Sequence, residues 1–271
     1  MPPLAITAII VLSVLVFLFM VYLFLVAPRK ARPEMKKYKG TRFAHRGLHG
    51  GSAAENSMTA FRRAIEAGYG IELDIRLSKD GKLVVYHDAT LERVSGINEK
   101  VENKTLEELK EIKLIDTEDT VAAFGDVLNL VSGKVPLLVE IKEEHGSTAV
   151  TEAAIKILSD YEGDFIVESF NPFSLALIRK RMPNALRGIL SDNFLKNKKH
   201  RSPTFFIVQY MLTNFLVRPD FVAFEKNGYK NPSFRICRAL GALSFAWTTT
   251  SEDEENAALA HGFDGLIFER K

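Results

Sequence analysis

His45–Asp88 reads HRGLHGGSAAENSMTAFRRAIEAGYGIELDIRLSKDGKLVVYHD. It carries His45-Arg46-Gly47, Glu55-Asn56-Ser57, Glu72-Leu73-Asp74 and His87-Asp88 along a strand, a helix, a strand and a further strand. Two imidazoles, several carboxylates and an arginine thus recur where strands should end. That inventory suits metal-assisted chemistry on a phosphate ester, provided the fold gathers strand ends.

The rest of the chain supplies such a fold. Beyond Arg42–Arg46, Tyr69–Ile75 and Leu83–His87, the sequence predicts strands at Leu137–Ile141, Phe165–Phe170, Leu186–Leu190, Phe221–Phe224, Leu243–Trp247 and Gly265–Phe268. Helices are expected between them, at Ser57–Ala67, Thr148–Tyr161, Pro172–Arg181, Pro232–Leu240 and Ser251–His261. Pro172 and Pro232 suit first helical turns, and Gly68 and Gly262 suit helix ends. Lys79-Asp80-Gly81 marks a hairpin turn, so Leu83–His87 folds back on the preceding strand. Eight strand-helix units then remain, which predicts an α/β fold of the TIM (β/α)8 barrel type. An open doubly wound sheet is the alternative, but no G-x-G-x-x-G follows the first strand.

Two segments break the rhythm. Asp88–Pro136 is too long for one crossover and is expected to form a small helical insertion, with helices at Thr105–Ile112 and Phe124–Val131. Thr204–Val217 reads as one mostly apolar helix behind the basic residues Lys196, Lys198, Lys199, His200 and Arg201. It either faces the core or dips into a bilayer, and it is too short to span one.

With 271 residues and a net charge of +2, the composition is that of one large globular domain, with no support for a broad polyanion-binding surface. No nucleic-acid or protein partner is implied. Cys237 is the single cysteine, so no intrachain disulfide forms. At the N-terminus, Leu4–Ala27 is uncharged and apolar; as a helix it reaches about 36 Å, enough to cross a hydrocarbon core of roughly 30 Å. A signal peptide is the rival reading, but no basic residue precedes the run and Val26-Ala27-Pro28 is a poor cleavage site. The expected organisation is therefore a transmembrane anchor at 1–28, a basic juxtamembrane linker at 29–40 and the barrel at 41–271. Arg29, Lys30, Arg32, Lys36, Lys37, Lys39 and Arg42 follow the span, which places the barrel on the cytoplasmic side of the cell membrane and offers these cations to anionic headgroups.

Residues i and i+2 of a strand share a face, so Glu72 points with Asp74, and Glu140 with Lys142, at strand ends that a parallel barrel brings together. Three carboxylates in one partly dry pocket repel unless a cation joins them. With no cysteine cluster, a hard divalent ion, Mg2+ or Ca2+, is favoured over zinc.

Taken together with Glu140-Ile141-Lys142, the motifs of His45–Asp88 resemble the signature of glycerophosphodiester phosphodiesterases, in order and spacing, from Thr41 to the C-terminus. The resemblance implies a TIM barrel and metal-dependent hydrolysis of glycerophosphodiesters to glycerol phosphate and an alcohol, through a cyclic phosphate. It implies metal ligation by Glu72, Asp74 and Glu140, acid-base roles for His45 and His87, and Arg46, Glu55 and Lys142 around the substrate. Departures are Ser57, Ser78, Thr248-Thr249-Thr250 and the closing Gly265–Lys271, which bear on the rim and on substrate choice.

Weaker expectations concern the remaining polar and aromatic residues. Trp247 would stack on the substrate's alcohol group or pack at the rim. Glu168 and Phe170 would line the pocket, and Glu225 is similarly placed without a role. His49, His145, His200 and His261 are expected to be solvated, and Gly50-Gly51 to be a turn or a phosphate contact. Besides glycerophosphodiesters, membrane lysolipids are a second substrate reading, which makes the protein a lysophospholipase D. A reading of another class is a catalytically silent membrane-tethered binding barrel, although no site residue is missing.

Overall fold

The ring strands are buried at nearly every position, because one face fills the barrel and the other is covered by helices. The computed structural model describes residues 2–143, 147–196 and 202–270. His145 and the run Lys198, Lys199, His200 and Arg201 lie outside the described residues. The ring strands are β1 (Arg42–Ala44), β2 (Gly70–Leu77), β5 (Leu137–Ile141), β6 (Phe165–Ser169), β7 (Arg187–Ser191), β8 (Phe221–Glu225), β9 (Leu243–Thr249) and β10 (Gly265–Phe268). All pair in parallel, and β1 pairs with both β10 and β2, so the barrel is closed. β3 (Leu83–Val85) and β4 (Ala122–Ala123) add an antiparallel ribbon on β2.

The helices are α1 (Pro3–Val26), α2 (Met58–Glu66), α3 (Glu92–Ser95), α4 (Leu106–Lys110), α5 (Phe124–Val131), α6 (Ala149–Leu158), α7 (Pro172–Arg181), α8 (Pro203–Gln209), α9 (Asn214–Val217), α10 (Pro232–Ala239) and α11 (Glu252–Ala260). Ser57, Asn171, Ser202, Asn231 and Ser251 cap helices with their side chains, satisfying first-turn amides.

Below the strand ends the barrel is filled by Phe43, Leu138, Ile166, Phe221, Phe245 and Ile267. Gly188 leaves room for this filling, since a Cβ there would lie 2.1 Å from the Phe221 ring. The floor is closed by a 3-10 turn, Pro33–Tyr38, whose Met35 and Tyr38 are buried in the same cluster.

The segment 29–40 is thus held against the barrel. Arg29 lies 3.7 Å from Asp220, Lys39 lies 3.6 Å from Asp264, and Lys37 pairs with Asp164. Arg42 of β1 lies 3.1 Å from Glu255. Arg29, Lys37, Lys39 and Arg42 thus each have a carboxylate partner on the barrel floor.

Two further expectations change. Phe124–Val131 is not part of the cap: α5 buries Phe124, Val127 and Val131 in the main core and serves as the barrel helix before β5. Only the segment up to β4 forms the insertion, around its own cluster of Val84, Leu91, Val101, Leu109 and Val121. Thr204–Val217 is not one helix but α8 and α9, broken at Tyr210–Thr213 with Met211 at φ 51°. The Ser191 hydroxyl and the Asn231 amide donate to the Gln209 carbonyl, and these tertiary bonds terminate α8.

Arg187 is buried at the floor, donating from Nε to the Val217 carbonyl at 2.7 Å and from Nη2 to the Arg218 carbonyl at 3.1 Å. Asp220 faces it and accepts from the Arg187 amide at 3.1 Å. Arg187→Ala strands those acceptors and the buried Asp220, so urea denaturation should show a loss of about 3 kcal/mol.

Candidate active site

The site residues lie within barrel strands or just past their C-terminal ends: Glu72 and Asp74 in β2, Glu140 in β5, Glu168 in β6 and Trp247 in β9, with His45 and Arg46 just after β1 and Lys142 just after β5. β1 ends at Ala44, and the His45 amide donates to the Phe268 carbonyl at 2.8 Å, which fixes the exit. Arg46 and Asn56 both adopt left-handed backbone at φ 56°, a conformation costing roughly 1–3 kcal/mol for such residues. Hydrogen bonds hold them there. The Arg46 amide donates to Glu72 Oε2 at 2.8 Å, the Asn56 amide to the Arg46 carbonyl at 2.9 Å, and Arg46 Nη1 to Glu55 Oε1 at 2.8 Å. Gly47 is required between them, because a Cβ would sit 2.9 Å from that of Ala60.

Parallel register places Asp74 beside Glu140, and Glu140 beside Glu168. One carboxylate oxygen each from Glu72, Asp74 and Glu140 lies within 4.8 Å of the others, all three residues being buried. Lys142 Nζ is 3.1 Å from Asp74 Oδ1 and 2.7 Å from Glu140 Oε1, and the Asn56 amide donates to Asp74 Oδ2 at 2.8 Å. Burial, then repulsion by Asp74 and Glu140, raises Glu72 well above the usual carboxylate range. Burial and Asp74 together outweigh Lys142 and push Glu140 up to about 7. Burial also opposes ionisation of Asp74, yet Lys142, His87, Arg46 and Asn56 hold it below the usual range. Glu168 is raised as well, by burial and by the Glu140 and Glu72 charges. Four buried carboxylates thus face two half-buried cations, Arg46 and Lys142, and the all-oxygen donor set fits a hard divalent cation.

Both expected histidines line the same cavity of about 150 Å3, together with Arg46, Glu72, Glu140, Lys142, Glu168, Phe170 and Trp247. His45 Nδ1 lies 3.1 Å from Glu269 Oε2, and His87 Nδ1 lies 2.6 Å from Asp88 Oδ1. Each ring therefore turns Nε2 free of its carboxylate partner. Burial lowers His87 to about 4. Asp88 also accepts from Arg93 Nε at 2.6 Å, and Arg93 donates to Glu55 at 2.8 and 2.7 Å, so one ionic chain links His87 to Arg46.

Arg93 carried no sequence signal and Asn56 stood in a motif without a role, since their partners come from other elements. Glu269 belongs to the departing C-terminal stretch read as rim; it contacts His45 instead. His49 is not solvated: it is half-buried 3.9 Å from Glu269, and burial lowers its pKa. Gly50 pairs with Ala53 in a local turn, and Glu225 accepts from Asn193 and Asn227, away from the cavity wall. The Trp247 indole N–H is buried without a partner among the described residues, and its ring meets Phe170 edge-on at 5.8 Å.

Residues 45–270 match the Glycerophosphoryl diester phosphodiesterase family. The chain belongs to that family. As a member it is a phosphoric diester hydrolase. A glycerophosphodiester phosphodiesterase of Caldanaerobacter subterraneus subsp. tengcongensis is 31% identical over 236 residues, which cover 83% of this chain and 91% of that protein. The crystal structure of a glycerophosphodiester phosphodiesterase from Thermotoga maritima is 28% identical with a TM-score of 0.66, covering 84% of this chain and 94% of the other. A phosphodiesterase of Oleispira antarctica, solved with the product sn-glycerol-3-phosphate, shares the fold at 20% identity and a TM-score of 0.71, over 86% of this chain and 94% of that one.

Proposed function

We propose that this phosphodiesterase hydrolyses glycerophosphodiesters to glycerol 3-phosphate and an alcohol, with Glu72, Asp74 and Glu140 holding Mg2+ or Ca2+. The observation that carries the reading is the cluster of the buried Glu72, Asp74 and Glu140 carboxylates beside one small cavity, which Glu72 and Glu140 line together with two carboxylate-held imidazoles, Arg46 and Lys142. A divalent cation held there supplies Lewis-acid polarisation of the phosphate. Arg46 and Lys142 bind nonbridging phosphate oxygens and stabilise the charge that builds on them.

The two imidazoles take opposite roles. His87, lowered to about 4, is neutral near pH 7 and serves as the base. His45 has Glu269 as counter-ion at 3.1 Å and serves as the acid in its imidazolium form. His87 takes the proton of the glycerol 2-hydroxyl as that oxygen bonds to phosphorus. The bond from phosphorus to the alcohol oxygen breaks, and His45 gives that oxygen its proton. Water then opens the cyclic phosphate with the roles reversed. Trp247 and Phe170 form the apolar wall for the substrate, with the indole N–H as a donor.

The membrane anchor is part of the same reading. α1 is the one helix among the described residues long and apolar enough to cross a membrane. Its last turn favours retention over cleavage as a signal: the Val26 carbonyl accepts from Asn214 at 2.9 Å and from Cys237 at 3.1 Å.

Full-length protein in detergent is expected to release glycerol 3-phosphate from glycerophosphocholine or glycerophosphoethanolamine with Mg2+ or Ca2+, and to stop on chelation. Deleting 1–40 is the wrong assay form, because it removes Met35 and Tyr38 from the floor. Metal binding without turnover of any diester would point to the silent barrel. With the divalent cation kept saturating at every pH, the profile of kcat/KM should be bell-shaped with its acid limb below pH 6.5, because the base is lost when the lowered His87 takes up a proton. An acid limb above 6.5 would exclude His87 as the base.

A further inference from the structure

The docked end of α1 sets the direction in which the rest of that helix leaves the barrel. Tyr22 Oη is 2.7 Å from Ser233 Oγ, the Val26 carbonyl accepts from Cys237, and a side chain on Gly241 would come within 3.1 Å of Ala31. These partners descend α10 in order, from its first turn to just past its end. α10 itself runs from the C-terminal end of β8 to the N-terminal end of β9, that is, from barrel mouth to floor. The end of α1 therefore points down the barrel wall, and its free part, Pro3–Val21, projects beyond the mouth. That part is about 28 Å long, close to a hydrocarbon thickness of roughly 30 Å. The membrane interface then falls at Tyr22, level with the first turn of α10 and with the mouth.

The mouth is built for that neighbour. Phe206 and Ile207 of α8 are 46% and 39% exposed, and Phe173 in the first turn of α7 is 59% exposed. α8 sits over the strand ends, where the Ser191 hydroxyl at the end of β7 donates to its Val208 and Gln209 carbonyls. An aromatic line leads inward from it: Phe205 to Phe194 at 5.2 Å, Phe194 to Phe170 at 5.9 Å, and Phe170 to Trp247 at 5.8 Å. The line ends in the cavity that holds His45 and His87. Arg29, Lys37 and Lys39, which follow α1, are meanwhile paired at the floor, on the opposite side.

We propose that the barrel mouth lies against the bilayer and takes a single-chain phosphodiester lipid from it. Its acyl chain lies along Phe205, Phe194, Phe170 and Trp247, and its phosphate lies at Arg46 and Lys142. The proposal rests on the phosphodiesterase reading above. The free glycerol 2-hydroxyl loses its proton as its oxygen bonds to phosphorus, the bond from phosphorus to the headgroup oxygen breaks as that oxygen takes a proton, and water then opens the cyclic phosphate. The products are a lysophosphatidic acid and the headgroup alcohol.

Orientation is tested without catalysis. Full-length Ile207→Cys and Asn184→Cys variants, each carrying a fluorophore, are placed in phosphatidylcholine–phosphatidylglycerol vesicles containing brominated lipid. Cys237 is buried and escapes labelling. Quenching at 207 with none at floor position 184 is expected; quenching at 184 alone, or at neither, overturns the proposal. The substrate is tested with Phe206→Asp/Ile207→Asp. Turnover of vesicle-borne lysophosphatidylcholine should fall at least 10-fold while that of soluble glycerophosphocholine stays within twofold. Phe206→Leu/Ile207→Leu should keep both. Unchanged lysolipid turnover in the Asp variant, or a parallel loss on both substrates, overturns the docking role. A wild-type enzyme that cleaves glycerophosphocholine but no lysolipid overturns the lipid substrate alone. One that cleaves neither removes the phosphodiesterase reading, while the quenching result still decides the orientation.

Discussion

Asp74→Asn is expected to abolish tight binding of a divalent cation and to lower kcat/KM for glycerophosphocholine about 10³-fold or more. Metal ions contribute several kcal/mol of transition-state charge stabilisation, and each 1.36 kcal/mol is tenfold in rate. Of the three proposed ligands, Asp74 is the one whose charge is favoured before a cation binds, because Lys142, Arg46 and Asn56 stabilise it against burial. Glu72 and Glu140 start from raised pKa values, so cation binding near pH 7 must displace protons from them. Titration calorimetry in two buffers of different ionisation enthalpy should reveal that proton release, and affinity should climb as pH rises through about 7. Asn56→Ala, which removes one of the groups holding Asp74 and leaves all three carboxylates in place, should weaken metal binding by about 10- to 100-fold. Full activity and unchanged calorimetry in the Asp74→Asn enzyme would falsify the assignment.

The second large effect separates the two histidines. His45→Ala and His87→Ala should each lower kcat by about 10²- to 10⁴-fold on glycerophosphocholine, whose choline alkoxide leaves only when protonated. A substrate releasing p-nitrophenol needs no such protonation. His45→Ala is therefore expected to recover most of its activity on that ester, whereas His87→Ala stays slow. Recovery by His87→Ala instead would exchange the two roles. Glu269→Gln keeps the size of the side chain but removes the counter-ion 3.1 Å from His45. Its loss should track that of His45→Ala, with little effect on the nitrophenyl ester.

Much of this site was legible because its signals are local. The i, i+2 pairs Glu72/Asp74 and Glu140/Lys142 need only the strand period to share a face. His45 and His87 needed only strand ends for their placement. Helix boundaries were close where caps act within one turn, as at Ser57, Asn171 and Asn231. The helices that moved were those decided from outside. α5 reads like any amphipathic helix, and only its packing against α2 makes it part of the barrel rather than of the cap.

By itself, then, the sequence determined an eight-unit barrel, the three carboxylates and two imidazoles at its strand ends, and an apolar segment of membrane-spanning length. Only the tertiary structure decided which distant residues complete the site: Glu269 on His45, 224 positions away, and Arg93 bridging Asp88 to Glu55. It alone also decided that 29–40 closes the floor and that α1 leaves past the mouth. Periodicity along a chain encodes which face a residue takes, whereas partners far apart in sequence meet only when the ring closes. No local pattern records that closure.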